Sequence, residues 1–167
     1  MTELTAPEIV DSPGQRFVGL VESYDMTSRV EIPALYQRFA ALRDGIDGAR
    51  PDALYGLSFD AREDGNFRYA VALEVPEPAA QPDGVRVITS APGAYAVFRQ
   101  RTPVAELPAR FDAIFAHWLP AAPYTQREGA VFERYPDDDA PEDGKMLYEI
   151  WVPVTAGETC NAARTGT

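Results

Sequence analysis

The chain is poor in the side chains that most often carry chemistry. Its 167 residues include one cysteine, Cys160, and one histidine, His117. One thiol excludes an intrachain disulfide, and one Cys with one His cannot build a zinc cage. The lone thiol fits a reducing compartment, so a cytoplasmic location is expected. Positive charge is also scarce. Lys and Arg total 15 against 26 Asp and Glu, a formal net charge of −11 with the histidine neutral. That balance argues against electrostatic docking on nucleic acid or on an anionic membrane, and partners guided by charge should be cationic. No apolar run reaches bilayer-spanning length, and the acidic opening MTELTAPEIV does not read as a secretory leader. There is no Walker A motif, no G-x-G-x-x-G after a strand, no H-E-x-x-H, no G-x-S-x-G and no recognisable helix-turn-helix. Neither a metal nor a cofactor is expected.

What is present suits an ordinary globular domain. Hydrophobic residues make up 46% and charged residues 25%, and the length fits one domain whose core needs no staples. Met1 to Gly14 is polar, carries two prolines and reads as an arm. Gln15 to Ser23 alternates as a strand. Glu31 to Ile46 places Ile32, Leu35, Tyr36, Phe39, Leu42 and Ile46 at helical spacing, with Pro33 in the first turn, where its missing N–H does no harm. Leu54 to Phe59 and Phe67 to Val75 read as strands joined by a turn carrying Asp64-Gly65. Pro76 to Gly84, with three prolines, reads as a stiff connector.

The order then begins again. Val85 to Ser90 and Ala94 to Gln100 read as strands on either side of Pro92-Gly93. Glu106 to Leu119 is a second amphipathic helix, apolar at Leu107, Phe111, Ile114, Phe115 and Trp118. Ala130 to Tyr135 and Met146 to Val154 are two further strands. Glu31-Ile-Pro-Ala matches Glu106-Leu-Pro-Ala at an offset of 75, and Asp64-Gly-Asn-Phe-Arg-Tyr69 matches Asp143-Gly-Lys-Met-Leu-Tyr148 at 79. Two matches in order, on corresponding elements, point to a duplicated β-α-β-β unit. The fold class that follows is α+β, with pseudo-twofold symmetry and an antiparallel sheet whose helices flank a central ligand groove. A single domain over 1–155 is expected, with half-repeats at about 15–76 and 84–155. Residues 156–167 read as a polar, disordered tail.

The last strand is the most informative segment. Alternation puts Leu147, Glu149 and Trp151 on one face and Tyr148, Ile150 and Val152 on the other. Glu149 is then a carboxylate in a largely buried strand, and it needs a cation, donors or a proton. One of the fourteen arginines or a cationic ligand could serve. The repeat aligns Glu149 with Ala70 and Trp151 with Ala72, which reads as space from one half facing recognition groups from the other. Tyr36, Tyr55, Tyr69 and Trp118 are the aromatic candidates, since each joins a flat face to a polar tip. His117 stands off the apolar stripe of its helix and reads as a surface or capping residue. Cys160 lies in a polar stretch and reads as a bystander. The cluster Asp137, Asp138, Asp139, Glu142 and Asp143 lacks EF-hand spacing and reads as a solvated loop.

These stretches together resemble the GyrI-like (gyrase-inhibitor-like) small-molecule-binding domain, used as an effector-binding domain by some AraC-type and MerR-type regulators. The resemblance is carried by Ile32 to Leu42, Tyr55-Gly56, Pro92-Gly93-Ala-Tyr95, Trp118-Leu119-Pro120, Phe132-Glu133-Arg-Tyr135 and Tyr148-Glu149-Ile-Trp-Val-Pro153. Pro123-Tyr124 departs from the Gly-aromatic pair often found after Trp-Leu-Pro. The resemblance implies that the acid on the last strand, Glu149, lies at the floor of the groove and meets lipophilic cations, with aromatic side chains around it.

Three functions follow as expectations. The first is a stand-alone, multidrug-type binding domain for a hydrophobic small molecule, cationic or aromatic. Its ligand residues would be Glu149, Trp151, Tyr36, Tyr55, Tyr69 and Trp118. The second, implied by the resemblance, is a hydrolase that opens the cyclopropane ring of DNA-alkylating natural products, with Glu149 as general acid/base. The third is a gyrase-inhibitor-like role with a protein partner. No membrane and no direct nucleic-acid partner are expected.

Overall fold

Each helix opens on a proline in its first turn, Pro33 in one and Pro108 in the other. A fixed φ and a missing N–H suit that position. In the computed structural model, which describes residues 6–77, 79–136 and 144–156, these helices lie against one antiparallel sheet. The strands are β1 (Glu8–Ser12), β2 (Arg16–Tyr24), β3 (Ala53–Phe59), β4 (Phe67–Glu74), β5 (Arg86–Thr89), β6 (Gly93–Thr102), β7 (Tyr124–Gln126), β8 (Val131–Pro136) and β9 (Met146–Ala156). Helix α1 is Ile32–Leu42. The second helix starts as α2 (Leu107–Asp112), widens into a π-helical stretch at Ala113–Trp118 and ends as α3 (Leu119–Ala121).

The sheet runs β1-β6-β9-β8-β3-β4-β2-β5, with β7 added to β9. Read from its centre outward, the order is the same on both sides. From β8 it continues β9, β6, β1, and from β3 it continues β4, β2, β5. The duplication expected from the sequence is therefore an α+β fold with its twofold between β3 and β8. Each half also lends its first strand to the other, since β1 pairs with β6 and β5 pairs with β2.

Alternation along the strands divides the core. On the helix face, Leu35 and Phe39 of α1 pack with Val18, Leu20, Val71 and Leu73. Ile114 packs with Phe98, Tyr148, Ile150 and Val152. The opposite face is closed by the curl of the sheet. The rings of Phe17 on β2 and Tyr55 on β3 approach to 4.8 Å although β4 runs between them. They can do so because β4 presents Ala70 and Ala72 there, both fully buried. The small residues that suggested ligand space thus make room for core aromatics instead.

Two segments differ from expectation. Residues 8–12 are not an arm but edge strand β1, held by β6 from Glu8↔Val97 to Ser12↔Gly93. Five residues with a mixed pattern carry little signal alone, and here a tertiary pairing decides their state. β7 was also not read from the sequence. It is a three-residue strand fixed by its pairing with β9. The acidic cluster at 137–143, Cys160 and the tail from 157 lie outside the described residues. Among the described residues no helix is long and apolar enough to cross a membrane.

Candidate functional site

The groove follows from the twofold. Where β3 and β8 meet, α1 flanks one side and α2 the other, and a cavity of about 480 Å³ opens between them. Ile32, Pro33 and Tyr36 of α1 face Leu107 of α2, with Leu54, Tyr69, Glu133, Tyr135 and Met146 completing the lining. Glu133 is its carboxylate. Val131, Glu133 and Tyr135 share the helix-facing side of β8, while Phe132 packs in the opposite core.

Glu133 is 3% exposed. The Tyr69 hydroxyl donates to its Oε1 at 2.7 Å, and the Tyr135 hydroxyl donates to the same oxygen at 3.1 Å. The Tyr36 and Tyr69 hydroxyls are 2.6 Å apart. Because the Tyr69 proton points to Glu133, Tyr36 is the donor to Tyr69. The network thus converges on one carboxylate oxygen. Among the described residues no Lys, Arg or His lines the groove. Burial pushes the Glu133 carboxyl up to about 7, and the two phenol donors pull against that rise. Burial and the Glu133 charge together hold Tyr69 and Tyr135 well above the ordinary phenol range, so both remain donors. Tyr36 moves the same way for the same two reasons.

Glu149 has a different setting. The groove between the helices holds Glu133 on the neighbouring strand, and Glu149 lines a separate cavity with Asp52, Arg99 and Arg134. Glu149 shares the side of β9 that holds Trp151, whereas Tyr148 and Ile150 face the helices. Its neighbours are cations. Arg99 donates from Nη2 at 2.5 Å and from Nε at 3.1 Å to Oε2. Arg134 Nη1 lies 3.8 Å from Oε1, which also accepts the Trp151 indole N–H at 3.0 Å. Arg134 in turn donates to the Tyr55 hydroxyl at 3.2 Å. The structure therefore brings Glu149, Trp151 and Tyr55 together, but as an ion-pair cluster across the sheet from the groove.

Tyr36 and Tyr69 meet in the groove. Trp118 lines neither site. It stacks beside Tyr124, with ring planes 17° apart, and meets Phe98 edge-on. His117 is exposed. Glu133 and Tyr135 were missed as site residues. The available signal was the alternation of Val131, Glu133 and Tyr135, which places an acid among apolar and aromatic neighbours on one face of a strand. No group of His, Cys, Asp and Glu that could hold a metal occurs among the described residues.

Comparisons with known proteins agree with this architecture. The model of the GyrI-like small molecule binding domain matches residues 5–155. The transcriptional regulator BrlR of Pseudomonas aeruginosa is 26% identical over 148 residues, covering 87% of this chain and 54% of the regulator. The chain therefore spans about half the length of that relative. Among solved structures, SAV2435 bound to tetraphenylphosphonium is similar with a TM-score of 0.71 at 23% identity, covering 90% of this chain and 94% of the other. A hydrolase encoded by lin2189 from Listeria innocua is similar with a TM-score of 0.56 at 14% identity, covering 90% and 92%. At these identities the structural likenesses establish the fold.

Proposed function

The chain belongs to the GyrI-like small molecule binding family, and from that premise we propose that its groove binds lipophilic, aromatic cations on Glu133. One observation carries this reading. Glu133 is a buried carboxylate held by phenols, in an apolar groove whose described lining has no countercharge. Burying an anion without a cation is costly, so a cationic guest supplies what the fold omits. The rings of Tyr36, Tyr69 and Tyr135 offer faces to such a guest, and the apolar wall removes its hydrocarbon surface from water. The tetraphenylphosphonium held by the similar SAV2435 structure is a cation of this class. The BrlR relation supports an effector-binding role within transcription regulation. The test is titration of tetraphenylphosphonium into wild type, Glu133→Gln and Glu149→Gln. Loss of binding in the first variant alone supports the reading. Equal binding by all three overturns it.

A second reading has its own support. A carboxyl near 7 can both take and return a proton at neutral pH. In that reading Glu133 accepts a proton from water as the water oxygen bonds to a strained ring carbon and the ring C–C bond breaks, its electron pair passing into a carbonyl group of the substrate conjugated to the ring, which then takes the proton back from Glu133. The hydrolase named among the similar folds is consistent with this. Incubation with a cyclopropane-bearing alkylator, followed by mass, tests it. No water-adduct product above the buffer blank ends the reading.

A further inference from the structure

We infer that Gly56 is the positioning residue of the groove, a gap in the sheet through which Tyr36 and Tyr69 reach their places beside Glu133. The inference takes the groove to be the binding site, but its own grounds are geometric.

Gly56 lies inside β3, a central strand, where glycine is unfavourable and adds no packing. Its backbone is not in the left-handed region, so its conformation does not require glycine. The space above it does. A Cβ built on Gly56 would fall onto the hydroxyls of Tyr69 and Tyr36 and lie 2.9 Å from the Tyr69 Cζ. Two other strand glycines are tightly enclosed, but Gly19 meets Val71 and Ala72 of the neighbouring strand, and Gly93 meets the end of the Arg127 side chain. At Gly56 the groove's own phenols fill the space.

Strand order explains why the gap is needed. Tyr69 is on β4 and Glu133 on β8, with β3 between them. Two strand spacings separate their backbones by roughly 10 Å, so the Tyr69 phenol must pass over β3 to donate to the carboxylate. The register pairs Gly56 directly with Glu133, and Tyr69 with Ser58 two residues along. The phenol therefore crosses at Gly56. The duplication gives this position a meaning. Tyr55 pairs with Ala72 as Phe132 pairs with Trp151. With Ala72 and Trp151 equivalent in the repeat, Gly56 is the counterpart of Glu133 across the twofold. One half places a carboxylate at the axis. The other places an absence, and the phenols occupy it.

The test needs no ligand. Glu133 is titrated by carboxyl-carbon NMR, and the melting temperature is measured, in wild type and Gly56→Ala. The same substitution is then made in a Tyr36→Phe/Tyr69→Phe background, where the colliding hydroxyls are gone. In wild type, Gly56→Ala should raise the Glu133 midpoint by about one unit as donors are pushed away. It should also lower the melting temperature by roughly 5 °C, as expected for overpacking in a chain of this size. In the double-Phe background the midpoint should not move, and the melting loss should shrink, with only the approach to the ring carbon of residue 69 remaining. If Gly56→Ala does not fold, folding of the triple variant supports the inference, and failure of both overturns it. An unmoved Glu133 midpoint, or an equal melting loss in both backgrounds, also overturns it. Failure of wild type to bind tetraphenylphosphonium would strike the proposed function and leave these outcomes decisive.

Discussion

Glu133 and Glu149 sit on adjacent strands, one step apart in register, and face opposite sides of one sheet. Glu133 pairs with Ile150, and Glu149 pairs with Arg134. Both are nearly inaccessible, at 3% and 4%, yet their surroundings are inverted. Glu149 is met by two guanidiniums and an indole. Glu133 is met by phenols. The fold neutralises one carboxylate internally and leaves the other to a proton or a guest, and the predictions follow from that difference.

Stability should fall as pH rises through the neutral range. The folded Glu133 binds its proton more tightly than the unfolded one, with a midpoint of about 7 against 4.5. Its contribution is therefore fully present below about pH 4.5 and is lost as pH rises through 7. The shift corresponds to about 3 kcal/mol. Denaturant unfolding at pH 4.5 and pH 8 should show this loss in wild type relative to Glu133→Gln, which lacks the titrating group. Parallel pH profiles of the two proteins would refute it.

Cation affinity should have the opposite pH dependence. On the proposed function a cation binds the ionised carboxylate, so tetraphenylphosphonium affinity should be constant above pH 7 and fall about tenfold per unit well below it. Binding at pH 6 should release a proton, visible as a buffer-dependent heat in calorimetry. Glu133→Gln should lose affinity roughly thirtyfold or more at pH 8, with no remaining pH dependence.

Glu149→Gln should separate the two faces. Removing its charge leaves Arg134 and Arg99 short of a partner, but the Arg99 side chain is 63% exposed and turns to water. The cost should be about 1–3 kcal/mol in denaturant unfolding. Affinity in the groove should stay within about twofold of wild type, because the substitution lies across the sheet.

Tyr69→Phe should act through Glu133. It removes the 2.7 Å donor to Oε1, and a hydrogen bond to an ionised group contributes about 1.5–3 kcal/mol. The Glu133 midpoint should rise by one to two units. Cation affinity at pH 7 should fall accordingly and recover toward wild type near pH 9. Tyr135→Phe, which removes the longer 3.1 Å bond to the same oxygen, should produce the smaller shift. A larger effect from Tyr135 would reverse this ranking of the donors.

The sequence was most legible where periodicity is long. The helix around Leu35 and Phe39, the strands around Val71 and Ile150, and the repeat of Tyr69 on Tyr148 lie where their patterns put them. Edge strand β1 was not legible, because Glu8–Ser12 owes its state to pairing with β6. The side of the sheet that Glu149 faces was not legible for a related reason. Alternation correctly put Glu149 with Trp151, but it does not say which side of the sheet the helices cover. That side is set by Leu35 and Ile114 packing on Val71 and Ile150. Nor does spacing along the chain show that Arg99, fifty positions earlier, reaches Glu149. Tyr36 and Tyr69 were found, and Glu133, the acceptor at the end of their hydrogen-bond chain, was not, because the three come from separate elements.

The strand exchange gives the groove a mechanical character. Tyr36 and Tyr69 precede the Pro76–Gly84 segment, and Glu133 and Tyr135 follow it. The pieces are knitted by β1 on β6 and β5 on β2. A chain cut within that segment would yield two fragments, each carrying half of the hydrogen-bond network. Reassembly would restore the carboxylate with its phenols, and a bound cation would favour the joined form by mass action. On the proposed function the guest would then act as a clasp between two halves of one polypeptide.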